Sequence, residues 1–108
     1  MPGLYVVIEG HDGAGKSTII KELDIRLKTE GYPVLSTFMP GATRLGAHLR
    51  TLVKHPSLID PGIEIDEMAR QLLYLADANN FMKLILEPAL QDNKIVISDR
   101  SSFISSLI

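Results

Sequence analysis

The sequence has 108 residues, of which 45% are hydrophobic and 22% are charged, and it contains no cysteine. That length suffices for one compact domain with a modest core and excludes two independent domains. The formal net charge of -2 provides no sequence-wide positive field, so we expect neither a nucleic acid nor an anionic membrane as a partner. The missing cysteines exclude a disulfide framework and thiolate metal sites.

The amino terminus carries no targeting pattern. Its apolar run Leu4–Ile8 has no basic residue before it and stops at Glu9, which is too short for a signal peptide or a membrane span. We therefore expect a soluble protein of the cytoplasm. The chain closes on Ser105–Ile108 without a polar tail, which is typical of a chain cut inside an element.

The continuous apolar run at 4–8, rich in β-branched and aromatic residues, predicts a buried strand; a second strand fits 33–38, and 94–98 predicts a third, buried one. Apolar residues at helical spacing predict helices over about 15–31 and around 45–53, a helix that the acidic residues Glu64, Asp66 and Glu67 open, and a stretch over about 81–91, which Pro88 should kink or divide. We interpret those acids as complements to a helix dipole. Alternating strands and helices predict an α/β fold with a parallel sheet covered on both faces, whose sites lie at the carboxyl ends of the strands.

The segment Gly10–Ser17 matches the phosphate-loop pattern G-x-x-x-x-G-K-[ST], between a predicted strand and a predicted helix. Glycines let backbone N–H groups turn toward a phosphate, and the helix adds the positive end of its dipole. Lys16 would reach the β- and γ-phosphates of a nucleotide, and the Ser17 hydroxyl would bind Mg²⁺. The alternative, a tight glycine turn without a ligand, is weaker at such a junction.

Asp99 and Arg100 follow the third predicted strand, where the polarity of the sequence switches abruptly. A second Mg²⁺ ligand is usually a carboxylate at the end of another strand, and Asp99 meets that requirement. The alternative is that Ser98 or Asp99 caps a following helix. Arg100 beside it suits bidentate phosphate binding, with an ordinary surface charge as the alternative.

The phosphate loop and four later segments together resemble a known family. They are Val7–Thr18, Pro40–Gly46 with Arg50 beyond it, Leu72–Ala76, Glu87–Leu90 and Ile95–Arg100. In this order and spacing they are similar to successive landmarks of thymidylate kinase and cover nearly the whole chain. The resemblance implies a P-loop NTPase fold of the nucleoside monophosphate kinase type. It also implies transfer of the γ-phosphoryl of ATP to dTMP with Mg²⁺, and a homodimer for the full-length protein.

The resemblance also implies roles for individual residues. Asp12 would contact the sugar hydroxyl of the monophosphate, Arg50 would hold its phosphate, and Tyr74 would stack on its base. The alternatives are a turn aspartate, a solvent-exposed arginine and a core tyrosine. The implied set comprises the catalytic residues Asp12, Lys16 and Arg100; the ATP-binding loop Gly10, His11, Asp12, Gly13, Ala14, Gly15, Lys16, Ser17 and Thr18; the monophosphate-binding residues Asp12, Pro40, Arg50, Tyr74 and Arg100; and the metal ligands Ser17 and Asp99.

One departure bears on the acceptor. Four residues after Tyr74 the family typically carries an arginine, and this sequence has Ala78 there. A kinase for another deoxynucleotide or for a nucleoside therefore stays open beside the dTMP kinase. A nucleotide-dependent ATPase or switch is a further alternative, although the N-K-x-D and Asp-x-x-Gly motifs of guanine-nucleotide switches are absent.

The family is also longer than this chain. By the resemblance, residues 1–108 are expected to be the N-terminal part of a single kinase domain, without the lid and the C-terminal strands. In that case the first strand pairs with a strand beyond this sequence, and the isolated chain would present an apolar edge and turn over no substrate.

Overall fold

The computed structural model describes residues 3–10 and 15–101, with the side chain of Ser101 left out. In these ranges the strands are β1 (Leu4–Gly10), β2 (Val34–Met39) and β3 (Ile95–Ser101). The helices are α1 (Lys16–Thr29), α2 (Arg44–Lys54), α3 (Glu67–Phe81) and α4 (Glu87–Gln91). A 3₁₀ turn, Pro56–Leu58, follows α2, and a π-helical turn, Met82–Leu86, joins α3 to α4.

The three strands form one parallel sheet in the order β1-β3-β2. The central strand β3 is the most deeply buried, because both of its edges are paired and both of its faces are covered. Val96, Ile97 and Ser98 on this strand have no exposed surface. The predicted α/β fold with a parallel sheet is confirmed.

Strand β3 is longer than the sequence predicts. The change of polarity after Ser98 predicts an end there, yet the strand continues to Ser101. Asp99 pairs with Ile8 of β1 and with Phe38 of β2. Main-chain hydrogen bonds to both neighbouring strands therefore keep this segment extended, even though its side chains are polar. The alternative in which Asp99 caps a following helix is therefore wrong, since Asp99 lies within a strand.

Helices cover both faces of the sheet, as predicted. Tyr5 of β1 lies on one face, where its ring packs against Phe81 of α3 with 6.4 Å between ring centroids. Ser36 of β2 lies on the opposite face and donates a 2.7 Å hydrogen bond to Asp24 of α1. Because successive side chains of a strand alternate between faces, neighbouring residues at the strand ends also divide between α1 and α3.

Capping residues fix where the helices begin. Thr43 accepts a hydrogen bond from the Gly46 amide at the start of α2, and Asp66 accepts one from the Ala69 amide at the start of α3. The acids at 64–67 thus include a helix cap, in line with their interpretation as N-terminal charges. Pro88 lies in the first turn of α4, directly after the π-helical turn that interrupts the regular α-helical pattern.

The core lies between α2, α3 and the end of β2. Met39, Val53, Tyr74 and Phe81 form its buried centre. Among the described residues, no helix is both long enough and apolar enough to cross a membrane.

Candidate functional site

The carboxyl ends of β1 and β3 and the first turn of α1 meet at one edge of the sheet. β1 ends at Gly10, and Gly15 precedes α1 with a positive φ of 79°, a backbone conformation that suits glycine. This is the strand-loop-helix arrangement that the phosphate-loop pattern requires. His11, Asp12, Gly13 and Ala14 lie outside the described residues, so their predicted roles stay predictions.

Lys16, in the first turn of α1, is the central cation of this edge. It is 7% exposed, and its Nζ donates to the Gly10 carbonyl at 3.2 Å and lies 2.8 Å from Asp99 Oδ1. A buried ammonium requires such partners, because desolvation of an unpaired charge is costly. The structure thus brings Lys16 and Asp99 together, 83 positions apart in the sequence, as their predicted placement at one site requires.

Ser17 and Asp99 line the same cleft of about 360 Å³ between α1 and the sheet. Both supply oxygen ligands, which Mg²⁺ prefers, and Mg²⁺ usually takes only one or two protein ligands beside phosphate and water. No cluster of three or more metal-binding side chains occurs in the described part of the chain. The donor set therefore fits a magnesium ion shared with a bound nucleotide better than a closed protein site.

Arg100 lies on the opposite face of the sheet from Asp99, because the two are neighbours on one strand. Its side chain is 17% exposed, and one terminal nitrogen lies 3.2 Å from Glu9 Oε1. The Nε atom of Arg100 is buried and finds no acceptor among the residues that the structure describes. A largely buried guanidinium with an unused donor suits an anionic ligand. Glu9 was missed from the sequence, because only the register of β1 on β3 places it opposite Arg100.

The loop between β2 and α2 lies beside this face. Pro40 is buried and follows a cis peptide bond from Met39. Arg50, in the second turn of α2, is exposed, with its aliphatic stem against Gly41: a Cβ on Gly41 would lie 2.9 Å from Arg50 Cδ. The predicted phosphate ligand Arg50 is therefore accessible, and its stem rests on the loop backbone.

Tyr74 and Asp77 occupy the buried face of α3. Tyr74 is 3% exposed within the core, and burial raises the pKa of its hydroxyl, while a hydrogen bond with Arg70 lowers it. Stacking of this ring on a base stays a prediction. Asp77 is 2% exposed, and its Oδ1 accepts a 3.1 Å hydrogen bond from the Gly41 amide. The sequence predicts no definite role for Asp77, since the sequence alone does not show that this position faces Gly41.

Ala78 lines an apolar cavity of about 340 Å³ that also includes Tyr5, Met39 and Leu75 and ends at Arg100. The residue that departs from the resemblance thus lies beside the predicted acceptor arginine.

A parallel α/β sheet with a glycine-rich loop before a helix, and a lysine and a carboxylate at its mouth, defines the P-loop class of nucleotide-binding proteins. Within that class, the profile of the family described as Thymidylate kinase matches residues 8–108. The chain belongs to the thymidylate kinase family.

Individual relatives agree with this. The thymidylate kinase of Caldicellulosiruptor saccharolyticus is 42% identical over 100 residues, covering 93% of this chain and 46% of that protein. That of Halothermothrix orenii is 41% identical over 108 residues, covering all of this chain and 49% of that protein. A crystal structure of thymidylate kinase from Ehrlichia chaffeensis aligns with a TM-score of 0.72 at 28% identity, over 93% of this chain and 54% of that one. The chain spans about half the length of the curated relatives it matches.

Proposed function

We propose that this chain is the N-terminal part of a kinase domain that transfers the γ-phosphoryl of ATP to dTMP, giving ADP and dTDP. The observation that carries the proposal is the placement of Lys16 and Asp99 on one face of the strand ends and of Arg100 on the other. Lys16 and Arg100 are cations on opposite faces of the sheet at the same strand ends. This arrangement suits a donor phosphate on one side and an acceptor phosphate on the other, which must approach each other in line.

The donor half comprises the loop residues 10–18 and Asp99. The Lys16 ammonium is held at the mouth of the loop, where nucleotide phosphates would replace Asp99 as its partner. Ser17 and Asp99 would hold Mg²⁺ together with the nucleotide. The ion, when bound, neutralises charge on the phosphate oxygens. Transfer needs no covalent enzyme intermediate, so these side chains act by positioning and by their charge.

The acceptor half comprises Asp12, Pro40, Arg50, Tyr74 and Arg100. Arg50 is exposed and Arg100 retains an unused donor, so both can form charge-assisted bonds with an acceptor phosphate. The apolar cavity next to Arg100 provides a place for a base.

The surfaces of the chain support a larger assembly. Within the described residues β1 pairs only with β3, which leaves its other edge for a further strand. Met68, Leu72 and Leu75 form an exposed apolar stripe along α3, and we propose that this stripe contacts a second copy in a homodimer. We propose the cytoplasm as the compartment, with neither nucleic acid nor membrane as a partner.

A second candidate is the same reaction on another nucleoside monophosphate. It is favoured by Ala78, whose small side chain leaves the cavity beside Arg100 apolar where the family typically has an arginine. Such a pocket holds a base through shape more than through hydrogen bonds.

The experiment is a substrate panel on the complete protein. ADP formation would be measured with ATP, Mg²⁺ and each of dTMP, dUMP, dCMP, dGMP, dAMP and thymidine. We expect dTMP to give the highest kcat/KM. Preference for another acceptor would favour the second candidate, and hydrolysis that no acceptor stimulates would instead indicate an ATPase or switch.

A further inference from the structure

Asp77 is a buried carboxylate for which the proposed mechanism has no use. It is 2% exposed on the inner face of α3, and its Oδ2 finds no hydrogen-bond donor among the residues that the structure describes. Burial raises the pKa of this carboxyl, while the bond from Gly41 and the charge of Arg50 lower it. A buried acid with half of its acceptors unused is costly, and such groups are often retained for function.

Asp77 forms a hydrogen bond with the β2–α2 loop. Its Oδ1 accepts from the Gly41 amide at 3.1 Å, joining positions 36 residues apart. The first turn of α2 closes over the same oxygen: a Cβ on Gly46 would overlap Asp77 Oδ1. The carboxylate therefore occupies the space that a side chain at position 46 would take.

Gly41 connects Asp77 to Arg50. The stem of Arg50 packs against Gly41, where an added Cβ would lie 2.9 Å from Cδ and 3.4 Å from Cβ of the arginine. Gly41 has a positive φ of 97°, so the backbone bends here in a way that most side chains resist. The carboxylate thus fixes the amide of the residue on which the arginine stem rests.

We propose that Asp77 is a positioning residue for the acceptor phosphate: through the amide of Gly41 it sets the place of the Arg50 guanidinium. The inference rests on the proposed function, since it assigns to Arg50 the acceptor phosphate as ligand. An exposed arginine alone samples many rotamers, and restricting it before the substrate arrives lowers the entropic cost of binding.

A second contact from the same helix supports a clamp on this loop. Asn80 of α3 donates a 2.7 Å hydrogen bond to the Thr43 hydroxyl, which also accepts from the Gly46 amide. Helix α3 thus holds the loop at two points. Asn80 stabilises the start of α2, whereas Asp77 binds next to the arginine.

The test measures KM for dTMP, KM for ATP and kcat in the complete protein carrying Asp77→Ala or Asp77→Asn. Asparagine keeps an oxygen acceptor for the Gly41 amide, and alanine does not. We expect alanine to raise the KM for dTMP about tenfold or more, the size of one lost bond to a charged group. The KM for ATP should stay within about twofold, and asparagine should restore most of the acceptor KM.

Asp66→Ala is the matched control, because it removes an aspartate that caps the same helix through the Ala69 amide, at the end of α3 far from Asp77 in the sequence. We expect it to lower the melting temperature and leave both KM values unchanged. If Asp77→Ala fails to fold, Asp77→Ser serves in its place, since it shortens the side chain but keeps a polar atom.

A double-mutant cycle with Arg50→Ala distinguishes an effect of Asp77 that acts through Arg50 from a general loss of structure. If Asp77 acts through Arg50, loss of Asp77 adds little once Arg50 is gone. Additive effects, unchanged KM values in an active Asp77→Ala protein, or an asparagine variant as impaired as alanine would each overturn the inference. Failure of the proposed function is seen separately, as a wild-type protein that forms no ADP in response to dTMP, and the inference would then fall with it.

Discussion

The two faces of the strand ends are built in different ways. On the α1 face, Lys16 donates to the Gly10 carbonyl only six positions away, within one sequence motif. On the α3 face, the contacts join residues that are far apart: Glu9 and Arg100 by 91 positions, Gly41 and Asp77 by 36, and Thr43 and Asn80 by 37. The proposed donor half is thus a local loop with one long-range carboxylate, whereas the proposed acceptor half is assembled by the register of β1 on β3 and by the packing of α3.

Because of this difference, we expect substitutions in the two halves to have different effects on activity and stability. A change in the loop should abolish chemistry and leave the fold intact, because few other contacts depend on it. A change in the α3 clamp should alter stability and acceptor binding together, because the same atoms support both.

Lys16→Ala should have the largest effect. We expect kcat to fall about a thousandfold or more, because the variant lacks the cation that, on the proposed function, would face the transferring phosphoryl. The melting temperature should change little, since Asp99 is one-third exposed and can be hydrated when its partner is gone. Steady-state kinetics and thermal denaturation of the complete protein check both. Lys28→Ala, an exposed lysine of the same helix, is the control, and a Lys16→Ala protein with near-normal turnover would contradict the donor assignment.

Gly46→Ala should act on both stability and acceptor binding. The new methyl group would overlap Asp77 Oδ1 and force α2 away from α3, at a cost of about 1–3 kcal/mol in the free energy of unfolding. Denaturant titration measures that loss, and the KM for dTMP should rise with it. Gly62→Ala provides the comparison, because a Cβ there meets only Asp60 Oδ1 at 3.7 Å. Equal stability of the two variants would show that the carboxylate is not confined as described.

The pH dependence of stability should show the smallest effect. Burial raises the pKa of Asp77 above its ordinary 3.8, against the opposing influence of the Gly41 bond and of Arg50, and Tyr74 is the titratable neighbour. The folded state therefore binds this proton more tightly than the unfolded state does. That contribution to stability is full below pH 3.8 and is lost as the pH rises through the raised pKa.

Asp77→Asn carries no such proton. The melting temperature of the wild-type protein minus that of the variant should therefore fall as the pH rises from 4 toward 7. Melting curves across this range measure it, and a difference that rises with pH would mean that the folded protein favours the ionised carboxylate.

Much of the fold was predictable from local pattern. The strand cores, the glycine loop before α1, the acids at the start of α3 and the paired placement of Lys16 and Asp99 followed from hydropathy, spacing and motif. The end of β3 did not, because pairing by β1 and β2 extends the strand through the polar residues Asp99 and Arg100. Glu9 and Asp77 escaped notice for a related reason, since their partners depend on register and helix packing.

The sequence by itself indicated the phosphate loop, because its glycines and its lysine lie within the eight consecutive residues 10–17. It also carried enough spaced landmarks to indicate the family. Only the tertiary structure decided that Asp99 and Arg100 serve opposite faces, that Tyr74 lies in the core and that Asp77 holds Gly41. These features follow from the alternation of side chains along a strand and from the packing of helices that are distant in the sequence. The packing energy depends on which surfaces come into contact, and no local run of residues specifies that.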